Sequence, residues 1–312
     1  MIELKNQRAA YGEALVKLGR EYSRIVVLEA DLSKSTMGTQ FENAYPGRFY
    51  EMGIAEANMA GVAAGLALTD RVPFMASFAV FATGRCYDQI RNSICISKLN
   101  VKICGSSAGL SDFGDGATHQ SVEDIAIMRA LPNMQVFVPA DAVQVGHIMH
   151  YMAENEGPMY LRINRLDLPV YTKEDEAFVP GRVYTLREGS DAAVFACGVM
   201  VSKAIEAAEL LHGVGVTLKV VNVPSIKPLC AESVRDICGS VKGVVTAEEG
   251  STIGGLGSAI AEIVTSKMEK RIQMVGIKDK FGISAENYDV LMQEYRLTSS
   301  EIVQAVKNVL NL

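Results

Sequence analysis

The chain has 312 residues, 49% hydrophobic and 21% charged, with 27 Gly and 9 Pro; the length suits two ordinary domains and the composition excludes a disordered or fibrous chain. Thirty Lys and Arg against 36 Asp and Glu give a formal charge of -6, with no basic run to grip nucleic acid or a membrane surface.

At the amino terminus, MIELKNQRAAYGEAL mixes charges into an amphipathic start and lacks the apolar stretch of a signal peptide, which predicts a cytoplasmic protein. From Ile25 onward, apolar β-branched runs alternate with segments of helical period, the pattern of parallel strands joined by crossover helices. Strands are predicted over 25–29, 73–77, 101–104, 135–138 and 159–163, with helices over 56–68, 82–97, 122–130 and 142–154. Ser121 and Asp124 are spaced as a capping pair for the third helix. The charge-free stretches 57–69 and 72–84 fall short of the ~18–20 apolar residues that cross a bilayer. A charged segment containing Pro180-Gly181 then predicts a linker. The expected layout is a first unit over 1–168, a linker over 169–187 and a second α/β unit over 188–312. Within the second unit, strands are predicted over 192–196, 217–222, 243–246 and 272–276, and helices over 201–211, 232–238, 255–266 and 299–309. The fold class is therefore α/β, with two doubly wound layer sandwiches. Six cysteines include no Cys-x-x-Cys pair, so they read as reduced, mostly buried thiols.

Three segments carry groups suited to chemistry. Gly53-Ile-Ala-Glu-Ala-Asn-Met59 places Glu56 at the start of an Ala/Gly-rich helix, where burial favours a carboxyl that shares a proton with a basic ring nitrogen. The plain alternative is a surface Glu complementing the helix dipole. Phe78-Ala-Val-Phe81 puts two aromatics three residues apart before a helix, a spacing that lets two rings flank one flat ligand, although such a pair is more often core. Gly109-Leu-Ser-Asp-Phe-Gly-Asp115-Gly-Ala-Thr-His119-Gln120 is a Gly-rich loop that carries Asp115 and His119 on backbone able to approach a ligand closely. A loop histidine is a poor core residue and a good acid/base or hydroxyl donor.

In this order the segments resemble transketolase, specifically its carboxyl-terminal half with the pyrimidine-binding and carboxyl-terminal domains. The resemblance spans nearly the whole chain. It rests on Ala30-Asp31-Leu32-Ser33-Lys34-Ser35, GIAEANM, SFAVF, GDGATHQSVEDIAIMRALPN over 114–133, VPAD over 138–141 and YLRINRLDLP over 160–169. It implies a thiamine diphosphate enzyme that moves a two-carbon ketol unit from a ketose phosphate to an aldose phosphate, as in the pentose phosphate pathway. Glu56 then matches the glutamate that hydrogen-bonds the aminopyrimidine and promotes its imino form. Phe78 and Phe81 match the aromatic wall, Asp31 a further cofactor contact, and the family's third aromatic falls at Gly84. His119 matches the histidine near the ketol hydroxyls, and Asp115 the aspartate accepting from a donor hydroxyl. Arg8, Ser35 and Arg165 match the substrate-phosphate contacts; for Arg8 the alternative is a solvated helix charge. Two departures bear on specificity. Ser107 stands where the family commonly has a histidine, and Asp112-Phe113-Gly114 replaces a Val-Gly-Glu run.

The family's metal motif, Gly-Asp-Gly followed by Asn-Asn, is missing, because Gly114-Asp115-Gly116 lies in the substrate loop. No metal is therefore expected on this chain. The resemblance implies a small subunit of a split enzyme, inactive without a separate diphosphate-binding subunit that holds Mg2+ or Ca2+, in an α2β2 heterotetramer. The segment from Glu248-Glu249 to Gly257 reads as a turn feeding tight helix packing, and its domain as one of assembly. Alternatives are a ketolase for a branched sugar phosphate, a subunit like deoxyxylulose-phosphate synthase or a 2-oxoacid dehydrogenase beta chain, and a non-catalytic regulatory subunit.

Overall fold

The computed structural model describes residues 3–312. Seven strands form the first sheet, in the order Ser225–Lys227, Gln135–Phe137, Met159–Arg162, Lys102–Ser106, Val72–Phe78, Ile25–Glu29 and Phe49–Glu51. All neighbours are parallel except the Ser225–Lys227 edge. Every residue of Ile25–Glu29, Val72–Phe78 and Lys102–Ser106 is buried. Helices cover both faces of a parallel sheet, so its central strands are buried without alternation, and the buried Lys102 at the start of one donates to the carbonyls of Asn155 and Gly157.

On one face the helix Gln7–Glu21 packs against Ala142–Glu154. The Asn6 side chain caps the first by accepting from the amides of Arg8 and Ala9, and Asp141 caps the second at Gln144. Tyr11, Leu15, Phe74, Ile148 and Met152 fill the space beneath. The opposite face is covered by Glu56–Ala67 and by the segment after Phe78. That segment differs from the predicted single helix. Phe81–Arg85 and Ile90–Cys95 are π-helical, with a short α-turn at Tyr87–Gln89 between them. Such widened turns recur at functional sites.

The second sheet runs Ile272–Ile277, Gly243–Ser251, Ala192–Ala196, Leu218–Asn222 and Tyr184–Arg187, parallel but for the last strand. Tyr184–Arg187 lies within the predicted linker. Ser225–Lys227 leaves the second unit and joins the first sheet. One core cluster is continuous across both units, from Met59 and Ile103 through Val138 to Phe195 and Val221. Five cysteines are buried and Cys230 is exposed; all six are free. No helix among the described residues is long and apolar enough to cross a membrane.

The predicted Ser121–Asp124 capping pair does not form. The helix starts at Asp124 without a side-chain cap, and the Ser121 hydroxyl has no partner. Asp124 instead accepts from Tyr160 Oη at 2.7 Å and from Arg162 Nε at 2.8 Å. A buried guanidinium demands a counter-charge, and that demand outweighs a cap.

Candidate active site

The predicted site residues converge at the carboxyl edge of the first sheet, where open α/β sheets bind ligands. Asp31 and Ser35 follow Ile25–Glu29, Glu56 opens the helix after Phe49–Glu51, and Phe78 ends Val72–Phe78. The loop bearing Asp115 and His119 follows Lys102–Ser106, and Arg165 follows Met159–Arg162.

At one end lies Glu56, 4% exposed, with Arg85 Nη1 2.6 Å from its Oε1. Among the described residues no group donates to its Oε2. The Arg85 guanidinium also lies over the Phe81 ring, 3.9 Å from the centroid. Phe78 and Phe81 are nearly parallel, 14° apart, with centroids 6.0 Å apart. A flat group between two rings needs ~7 Å, twice the optimal carbon–carbon separation of ~3.5 Å. The pair is therefore a wall with one usable face, and it cannot flank a ligand on both sides. His119 meets both rings edge-on, at 6.2 and 5.2 Å. Beside the wall, Gly84 has open space where a side chain would stand. Asp31 is exposed in a left-handed turn (φ 58°), held by Glu51 Oε1 accepting its amide at 2.7 Å and that of Gly53 at 3.0 Å. No bond joins its carboxylate to the other site residues.

At the other end, Arg8 Nη1 donates to the backbone carbonyl of Ser35 at 3.0 Å, and its buried Nε has no partner among the described residues. Burial lowers the Arg8 pKa, and the neighbouring Arg165 lowers it further. Arg165 pairs with Asp112, Nη1 to Oδ1 2.9 Å. Asp112 is 3% exposed, with Oδ2 unpartnered. Burial raises its carboxyl, Arg165 opposes that, and Asp115 and His119 act on it from the loop. Arg8, Ser35, Arg165, Asp115 and His119 are thus brought together. Sequence reasoning gave Arg85 no role, and it set Asp112 at the substrate entrance as a departure from the family without its pairing to Arg165. The Phe81-x-x-x-Arg85 spacing and the need of a buried Glu56 for a counter-charge were the available signals.

The second unit fastens the substrate loop at both ends. Gly109 (φ +65°) leaves room for the Glu249 carboxylate, where a side chain would collide. Glu249 Oε1 accepts from the Leu110 amide at 2.9 Å and from Tyr288 Oη at 2.8 Å, while Oε2 accepts from Asn164 Nδ2 at 3.1 Å. At the far end Gln120 Nε2 donates to the carbonyls of Asp112 and Ile283, and the Ala285 amide donates to that of Phe113 at 2.9 Å. Gly116 (φ +74°) sits against Ser284. The glycine run before Gly257 is a tight turn: Glu248 accepts from the Leu256 and Gly257 amides, both at 2.8 Å, and lies where a Gly255 side chain would stand.

The sequence matches the family "Transketolase, pyrimidine binding domain" over residues 5–170 and "Transketolase, C-terminal domain" over residues 181–302. The chain belongs to the transketolase family. A transketolase C-terminal section of Methanocaldococcus jannaschii is 42% identical over 97% of this chain and 95% of its own length. A 6-deoxy-6-sulfo-D-fructose transketolase subunit of Clostridium sp. is 39% identical over 97% and 94%. A solved split-gene transketolase, an inactive beta4 tetramer, superposes with TM-score 0.89 at 47% identity over 98% of each chain. The two α/β units are accordingly the pyrimidine-binding and C-terminal domains of this transketolase family.

Proposed function

We propose that this chain is the small subunit of a split, thiamine diphosphate-dependent transketolase that moves a two-carbon ketol unit between sugars bearing an anionic tail. The observation that carries the reading is a line of two contact groups at the carboxyl edge of one sheet, Glu56–Arg85–Phe81–His119 at one end and the Asp112–Arg165 pair with Arg8 nearby at the other. One end of that line suits an uncharged heteroaromatic ring and the other an anion.

The residues fit the pyrimidine end of the cofactor. Glu56 Oε2 has no donor among the described residues, and the Phe78/Phe81 wall offers a flat apolar face. When bound, thiamine diphosphate supplies the nucleophilic carbon that accepts the ketol unit. Glu56 would hold a proton at a ring nitrogen, with Arg85 fixing the carboxylate's position. The wall would carry the ring and exclude water. His119 would donate to the oxygens of the transferred unit, and Asp115 would accept from a neighbouring hydroxyl, penalising sugars that lack it. Arg8 and Arg165 would hold the tail.

The diphosphate and its Mg2+ or Ca2+ belong to a separate subunit in this reading, with an α2β2 complex the expected active form. The inactive beta4 relative supports an inactive isolated subunit. The test is ketol transfer from xylulose 5-phosphate to ribose 5-phosphate, and from uncharged L-erythrulose to glycolaldehyde. The chain is assayed alone and mixed with its diphosphate-binding partner. Transfer in the mixture only is the expected result, and transfer by the chain alone would sink the split assignment.

A further inference from the structure

Resting on the transketolase reading, we propose that Asp112 makes the tail end of the substrate site select a singly charged terminal anion, of the sulfonate class, over a phosphate dianion. Arg8 and Arg165 by themselves would match a dianion in charge and in donor geometry. They are not by themselves. Asp112 is buried against Arg165, and Asp115, Asp167 and His119 are the remaining titratable groups facing this cluster. Asp115 and Asp167 are exposed, so water and salt screen them. Asp112, 3% exposed, is the least screened of these carboxylates, and its ion pair at 2.9 Å offsets the charge of the half-exposed Arg165.

The donors tell a different story from the charges. Among the described residues, Arg165 spends Nη1 on Asp112 and keeps its other N–H groups, and the buried Arg8 Nε has no partner; a guanidinium carries five such donors. The tail end therefore has hydrogen bonds for a three-oxygen group and roughly one net positive charge to oppose it. A sulfonate has three acceptor oxygens and a single charge at every working pH. A phosphate monoester has the same three oxygens but loses its second proton near pH 6, so it brings a second charge at neutral pH and above. The sulfo-sugar transketolase subunit that is 39% identical over 97% of this chain is consistent with that assignment.

The test uses the complex of this chain with its diphosphate-binding partner at pH 8, with glycolaldehyde as the uncharged acceptor. Three ketol donors are compared by kcat/KM: 6-deoxy-6-sulfofructose, fructose 6-phosphate and L-erythrulose. The expected result is a preference of about tenfold or more for the sulfonated over the phosphorylated donor. Asp112→Asn, which keeps shape and an acceptor toward Arg165 but removes the charge, is expected to move that ratio toward phosphate by about tenfold or more, the scale of one partly screened charge. Asp112→Ser serves if the Asn variant fails to assemble. Equal or better use of fructose 6-phosphate by the wild type, or a ratio that neither substitution moves, overturns the inference and leaves the transketolase reading standing. No transfer from any donor, L-erythrulose included, overturns both.

Discussion

Glu56 and Arg85 form an unequal pair, with side chains 5% and 48% exposed. The carboxylate is committed to the interior, and the guanidinium can leave for solvent. In the proposed reaction the carboxylate holds a proton at a ring nitrogen, and a group in that role contributes ~10²–10⁴ to rate. Glu56→Gln keeps the shape and removes the charge, so turnover of the reconstituted complex should fall by ~10²–10⁴ while assembly persists. Unchanged turnover would mark a scaffold. Glu248 is a separate buried acid. Burial pushes its carboxyl from the ordinary 4.5 up to about 7, against the pull of the two amides it caps. Its folded value lies above its unfolded one, so the folded protein keeps a proton that the unfolded chain has released. Its contribution is fully present below pH 4.5 and lost as pH rises through 7, on the order of 3 kcal/mol. Melting temperatures at pH 5 and 7.5 test this: the wild type should lose stability relative to Glu248→Gln as pH rises, and parallel curves would refute it. At this scale the candidate residues were legible because each except Arg8 sits in a motif. The pairings of Arg85 and Asp112 were not legible, because their partners Glu56 and Arg165 lie 29 and 53 positions away in the chain.

Central strands and long helices were readable as runs of one period, whereas elements made by long-range pairing were not. Tyr184–Arg187 and Ser225–Lys227 are four and three residues long and partly exposed, too short to show an alternation. The π-helical turns follow neither the 3.6 nor the 2.0 period by which elements are sought. The substrate loop is a mixed case. Its glycines were visible, but the reason for two of them lies 140 to 168 positions away, at Glu249 and Ser284. Gly116→Ala forces a left-handed residue to carry a side chain, at ~1–2 kcal/mol, and drives its methyl into Ser284. The loop carrying Asp115 and His119 would then move off the second unit. We expect kcat/KM of the complex to fall at least about tenfold, with melting lowered by only ~2–5 °C. Gly114→Ala meets open space, so its melting temperature should match the wild type. Equal effects of the two substitutions would argue against the bracing.

Across the whole molecule the two sheets behave as one structure because their connections are buried. Ser225–Lys227 from the second unit closes an edge of the first sheet, and Lys227 Nζ donates to the carbonyls of Arg129 and Leu131. Arg162, 5% exposed, joins Asp124 of its own unit to the Glu249 carbonyl of the other at 2.7 Å. Asp124 and Glu249 hold its guanidinium charged despite burial, by raising its pKa. Removing one partner of a buried pair leaves the other uncompensated, at ~3–5 kcal/mol. Asp124→Ala should therefore lower the melting temperature more than any loop substitution. It should also split the single calorimetric transition expected of the wild type, because the freed guanidinium must draw in water at the seam between the units. The same variant should lose kcat/KM, since the backbone Arg162 grips at Glu249 carries the carboxylate that holds Leu110 and Asn164 in place. Two transitions already present in the wild type would show that the seam does not couple the units. A split transition with undiminished kcat/KM would show that the substrate loop keeps its shape without the coupling.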